Sequence, residues 1–157
     1  MAIAVLADTN NLSFCVRKGF PGFRLNYEKY LSKIQEITGD DVFTRCYAYG
    51  FQKEDEAKGF IIALKRYGFD SRFRQPPSNL NKANHSVAIA LDAMCLAERV
   101  DTMVIGSTDP CLVPLLEKLK ETGIQVIVFA AGIPSEMKER ADGFYEINSD
   151  VLEESRD

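Results

Sequence analysis

Short runs of β-branched and aromatic residues alternate along this chain with stretches whose apolar residues recur at helical spacing. That alternation limits the fold more than any other feature. Residues 2–7 form a continuous apolar run, the pattern of a strand buried on both faces. Tyr27, Leu31 and Ile34 recur at helical spacing with Tyr30 and Ile37 beside them, predicting a helix over 26–38 ended by Gly39. A strand over 42–49, a helix over 54–67 and a strand over 69–74 follow. Val87, Leu91 and Met94 then predict a helix capped by Asn84 or Ser86, and residues 102–105 a strand. Leu112, Leu115, Leu116 and Leu119 mark one face of a further helix, ended by Gly123. A strand over 124–129, a short helix over 135–142 and a last strand over 144–147 complete the series. This β–α succession predicts a three-layer α/β/α sandwich with a mostly parallel central sheet and right-handed crossovers.

The 157 residues suit one domain, expected over 1–150, with 151–157 a short polar C-terminal tail. The formal charge of −4 argues against a general nucleic-acid coat but leaves room for a local basic groove. No apolar run approaches the roughly 20 residues of a membrane helix. The opening run passes straight into Asp8 without a basic start, so a cytoplasmic protein is expected. Cys15, Cys46, Cys95 and Cys111 are too scattered for a disulfide framework or zinc site and read as reduced thiols.

In an open parallel sheet, ligands bind outside the carboxyl ends of the strands. Asp8 directly follows the first strand, and Asp109 follows the strand that runs into Gly106. These carboxylates meet if the two strands are neighbours. Asp92 interrupts the apolar run Val87-Ala88-Ile89-Ala90-Leu91, where a charge is costly unless paired or metal-bound. Three converging carboxylates would suit Mg²⁺ or Mn²⁺. Equally, Asp8 and Asp109 read as caps of a turn or helix and Asp92 as a solvated helix edge, and spacing leaves both readings open.

Four segments, taken together, resemble the NYN domain, in its LabA-like branch of the PIN-related nucleases. Asp8-Thr9-Asn10-Asn11-Leu12 resembles that family's D-x-x-N-L start. Lys82 followed by Val87-Ala88-Ile89-Ala90-Leu91-Asp92-Ala93 resembles its K-x-x-D-V-x-L-x-x-D-A helix. Val104 to Leu115 resembles V-x-S-G-D-S-D-F-x-P-L, and Gly123 to Phe129 resembles G-x-x-V-x-V-F. The resemblance runs from Ile3 to about Ile147 and implies a PIN-like sheet carrying a metal-dependent phosphodiesterase site that acts on RNA. It puts Asp8, Asp92 and Asp109 at the catalytic, metal-holding positions. Asn11, Ser107 and Thr108 would position a metal-bound water or a phosphate oxygen.

Two acidic positions of the pattern are replaced here, one by Ser86 and one by Cys111. Fewer carboxylates mean weaker attraction for Mg²⁺, and a thiolate is a soft ligand ill suited to that ion. His85, the only histidine, reads as a solvated residue of the helix's first turn and is given no catalytic part. Arg72 and Arg74 at a strand end, with Lys82 nearby, form a candidate track for single-stranded RNA, or else a solvated edge. Phe14, Phe20 and Phe23 make the loop after Asp8 aromatic, as core cover, lid or homodimer contact. A metal-dependent ribonuclease, attenuated by the two replacements, is the leading reading. The alternative is a catalytically degenerate domain that binds RNA or serves regulation or assembly. A nucleotide-binding α/β module is a weaker third, since no strand is followed by a GxGxxG or P-loop.

Overall fold

The computed structural model describes residues 2–39, 42–52, 57–79 and 84–156. The first strand, β1 (Ala2–Asp8), is buried from Ile3 onward, as its unbroken apolar run requires. It pairs in parallel with β3 (Val42–Phe51) on one side and β5 (Thr102–Gly106) on the other. Beyond β3 lies β4 (Asp70–Arg74), and beyond β5 lie β6 (Gln125–Ala130) and β7 (Gly143–Glu146). The six-stranded order is β4-β3-β1-β5-β6-β7, every pairing parallel. Chain progress reverses direction across the sheet at β1 and β5, the switch point where open α/β sheets carry their ligands.

Helices α2 (Tyr27–Thr38), α3 (Lys58–Tyr67), α4 (Ser86–Leu96), α5 (Val113–Glu121) and α6 (Ser135–Arg140) fall where the periodicity puts them. Gly39 and Gly68 close α2 and α3 in the left-handed conformation that glycine adopts most readily. Fully buried Leu6, Leu12 and Leu116 each contribute about 1.5–3 kcal/mol through removal from water. Gly106 is fixed by crowding: a Cβ there would lie 2.6 Å from the Tyr30 hydroxyl, which donates to the Phe129 carbonyl at 2.7 Å.

Three differences from the sequence reading stand out. The aromatic stretch after Asp8 is a helix, α1 (Thr9–Gly19), followed by a short strand, β2 (Phe23–Leu25). Its Asn- and Ser-rich start is a poor helix former. The Asp8 side chain caps it by accepting from the Asn11 amide at 3.0 Å, and Leu12 and Val16 anchor it in the core. The expected polar tail contains β8 (Leu152–Glu154), antiparallel to β2, with Val151 and Leu152 buried. Helix α4 is turned over: Val87, Leu91 and Met94 are 73%, 65% and 38% exposed, while Ile89, Ala93 and Leu96 pack inward. Apolar residues surround this helix, so periodicity alone could not choose its buried face. Among the described residues, no helix is long and apolar enough to cross a membrane.

Candidate active site

Because β1 and β5 are neighbours, Asp8 and Asp109 come together at their carboxyl ends. Both line one cavity of about 420 Å³, with Asn10, Asn11, His85 and Thr108 among the other walls. Asp8 is only 3% exposed. Burial pushes its carboxyl up to about 6, the Asn11 amide opposes the rise, and the Asp109 charge adds to it. An ionised Asp8 is therefore held at an energetic disadvantage that a cation would relieve.

Asp109 is fixed on three sides. Its Oδ1 accepts from the Cys111 amide at 2.9 Å, its Oδ2 accepts from Ser86 Oγ at 2.5 Å, and its own amide donates to Ser107 Oγ at 3.2 Å. Thus Ser86, at one replaced acidic position, supplies a hydrogen bond in place of a charge. Cys111, at the other, is exposed and reaches Asp109 through its backbone. Beside Asp109 this thiol is held above its ordinary range, in its protonated form.

Asn11 and Thr108 line the cavity but grip one another. Asn11 Oδ1 accepts from the Thr108 amide at 2.9 Å, and Asn11 Nδ2 donates to Thr108 Oγ1 at 3.0 Å. This pair ties the start of α1 to the loop after β5. Ser107 is fully buried and is not among the residues lining the cavity, so its contribution is to hold Asp109.

Asp92 does not join the two aspartates on the cavity wall. Its Oδ2 accepts from Tyr49 Oη at 2.7 Å, and burial with the Asp92 charge keeps that phenol protonated. Tyr49 lies beside Asp8 in the sheet register, and its carbonyl accepts from Thr9 Oγ1 at 2.7 Å. Among the described residues, no group of three or more His, Cys, Asp or Glu side chains is placed to hold a metal ion.

His85 departs most from expectation. It is 1% exposed and lines the cavity, at the residue immediately before α4. Its ring packs on Phe51 at 4.3 Å, and Nε2 lies 2.8 Å from Asn10 Oδ1. With that amide oxygen accepting, the proton sits on Nε2, and Nδ1 is a buried acceptor without a partner among the described residues. Burial, then the nearby Arg74 charge, lowers its pKa to about 4, so the ring is neutral at physiological pH. Nothing in one sequence separates such a histidine from a solvated one, since its burial comes from Phe51 and Asn10, both distant in the chain.

The two arginines of the expected RNA track stack on β3 aromatics: Arg72 over Tyr47 at 4.2 Å, Arg74 over Phe51 at 5.4 Å. Arg74 also donates to the Asn84 carbonyl at 2.7 Å, on the cavity rim. The sequence reading ended this strand at Tyr49; β3 runs on to Phe51, and its pairing with β4 puts Tyr47 and Phe51 beneath the two arginines. Lys82 lies outside the described residues.

The family model described as the NYN domain matches residues 2–148. A crystal structure of a protein of unknown function from Vibrio parahaemolyticus is similar across 97% of this chain and 96% of its own, with a TM-score of 0.86 and 22% identity. At that identity the likeness speaks for the fold. No curated protein sequence matches the chain.

Proposed function

The chain belongs to the NYN domain family, and from that premise we propose that it hydrolyses phosphodiester bonds of single-stranded RNA at the Asp8–Asp109 cavity, with one Mg²⁺ or Mn²⁺ ion. NYN domains fall within the PIN-like nuclease superfamily, which supports a nuclease reading. The observation that carries the proposal is the state of Asp8: a carboxylate buried at the switch point, pushed up to about 6, with a second carboxylate in the same cavity. A buried carboxylate with a perturbed pKa and a second acid beside it in a cleft marks a functional-site candidate.

The donor set fits a hard cation of modest affinity. Mg²⁺ commonly keeps several waters and binds through one or two carboxylates, completing its shell with substrate phosphate. Asp8 and Asp109 would hold it, and the bound ion would supply activation of a water and charge balance at the scissile phosphate. The remaining residues hold this pair in place. Ser86, Ser107 and the Cys111 amide orient Asp109, while the Asn11–Thr108 clasp fixes the distance between the two strand ends. Asp92 acts as a positioning residue through Tyr49, whose backbone adjoins Asp8 and holds Thr9. Arg72 and Arg74 bind the RNA backbone, with Arg74 tied to the cavity rim through the Asn84 carbonyl.

Calorimetric titration with Mn²⁺ and Mg²⁺, paired with cleavage of a fluorescent single-stranded RNA, tests the reading. Metal-dependent cleavage lost in Asp8→Asn supports it, and neither binding nor cleavage in the wild type rejects it.

The second reading, an RNA-binding or regulatory domain without turnover, draws on two observations. The Tyr49 hydroxyl already partners Asp92, and Ser86 brings a hydroxyl where the family pattern has an acid. It predicts RNA binding that depends on Arg72 and Arg74 and is indifferent to divalent ions.

A further inference from the structure

A second cavity, of about 470 Å³, opens on another face of α1, bounded by the β2–β8 ribbon, the start of α2 and α3. Its size falls within the range of small-molecule sites. It shares no lining residue with the Asp8–Asp109 cavity. Two kinds of group meet there. Phe60 and Tyr67 of α3 and Tyr27 of α2 give flat apolar walls, and the Phe60 ring, 36% exposed, stands 5.4 Å from that of Tyr27. Arg17 and Arg24 bring two positive charges against the single negative charge of Glu153, which Arg24 contacts at 2.9 Å. Arg17 is exposed in the last turn of α1.

Tyr27 itself is 5% exposed, and its hydroxyl oxygen is enclosed without a hydrogen bond of acceptable geometry among the described residues. Burial holds the phenol well above its ordinary range, as a neutral donor with Ser13 nearby. A buried donor without an acceptor is a standing cost in the free protein. The ring, not this enclosed hydroxyl, belongs to the cavity wall. Flat aromatic walls and a net positive charge define a ligand that is planar and anionic.

We propose that this cavity is a nucleotide site, with the base against Phe60 and Tyr67 and the phosphate on Arg17. Stacking on aromatic faces is tolerant of base identity, and a guanidinium matches the geometry of a phosphate. The same chemistry is presented by a free mononucleotide and by the 5′-phosphorylated end of an RNA strand. The site does not depend on cleavage at the other cavity.

The test is calorimetric titration of the full chain with adenosine 5′-monophosphate, and with one short RNA carrying either a 5′-phosphate or a 5′-hydroxyl. Wild type and Asp8→Asn should bind the mononucleotide or the phosphorylated RNA equally. Arg17→Glu and Phe60→Ser should each weaken binding by about tenfold or more. Because Arg17 is exposed, its variant should melt within about 2 °C of wild type, as surface substitutions do. Tyr27→Phe should fold at least as stably as wild type, since it removes an unpaired donor. Binding of the mononucleotide identifies a free ligand; preference only for the phosphorylated RNA identifies a strand end. Binding lost in Asp8→Asn but kept in Arg17→Glu overturns the proposal by assigning the nucleotide to the Asp8–Asp109 cavity. Absence of mononucleotide binding together with equal affinity for the two RNAs also overturns it. Neither outcome bears on metal-dependent cleavage, which the fluorescent assay reads separately.

Discussion

Ser86 Oγ donates to Asp109 Oδ2 at 2.5 Å, joining the first residue of α4 to the loop after β5. The hydroxyl occupies a position where the family pattern has a carboxylate, and it orients Asp109 without adding negative charge. In the proposed reading, divalent-ion affinity rests on two aspartates.

Ser86→Asp should restore a third carboxylate beside Asp109. Mn²⁺ affinity is expected to rise by about tenfold or more, equivalent to about 1.4 kcal/mol, while stability without metal falls through like-charge repulsion. Calorimetry and metal-free denaturation of the same variant read the two effects. Unchanged affinity would place the ion away from Asp109.

Asp8→Asn should abolish Mn²⁺ binding and yet stabilise the metal-free protein. The buried carboxyl has its pKa raised from 3.8 to about 6, so its favourable contribution is complete below pH 4 and is lost as pH rises through 6. Above pH 6 the ionised group costs about 3 kcal/mol, which the neutral amide avoids while keeping the α1 cap. Urea denaturation at pH 8 and pH 4 in chelator checks this: a gain at pH 8 that vanishes at pH 4 is expected.

His85 works in the opposite direction. Its pKa is lowered from 6.5 to about 4, so the neutral ring's contribution is present above pH 6.5 and is lost as pH falls through 4. The size is about 3 kcal/mol, close to that of Asp8. The two titrations should nearly cancel in the wild type between pH 4 and 6. His85→Gln should gain stability on acidification in that window, and Asp8→Asn should lose it more steeply than wild type. Parallel slopes in all three proteins would contradict the assignment.

Asp92→Asn should reduce Mn²⁺ affinity by about 10–100-fold at most, against complete loss for Asp8→Asn and Asp109→Asn. Tyr49→Phe should cost about 1 kcal/mol, and a double-mutant cycle with Asp92→Asn should show coupling of similar size. If Asp92→Asn abolishes metal binding outright, Asp92 is a ligand after all.

Replacing Arg72 and Arg74 together by alanine should weaken single-stranded RNA binding uniformly across sequences. The slope of log affinity against log salt should shrink by about 1.4, taking about 0.7 per phosphate contact for single strands. Fluorescence anisotropy at several salt concentrations measures it, and an unchanged slope would assign these arginines to the folded edge alone.

The six strands of the central sheet and most helices were legible because each follows a local rule, whereas β2 and β8 were not read. An unbroken apolar run marks β1, glycine closes α2 and α3, and leucines at helical spacing mark α5. Helix α1 escaped that reading because Thr9-Asn10-Asn11 is intrinsically poor helix sequence, stabilised by a cap and by anchors reaching a core built from distant segments. The site divided in the same way. Asp8 and Asp109 were readable as strand-end acids, but the orientation of α4 was not. That helix is apolar almost all round, and contacts made elsewhere decide which face turns inward.

The amino-acid sequence by itself determined a β–α alternation, a parallel sheet and two carboxylates at its carboxyl end, because periodicity and strand-end position are properties of neighbouring residues. Only the tertiary structure decided that Asp92 answers to Tyr49, that Ser86 answers to Asp109, and that His85 is buried beside Phe51. Each of those pairs lies more than twenty residues apart in the chain. Their meeting follows from how strands order in the sheet and how one helix rotates upon it, which no local pattern encodes.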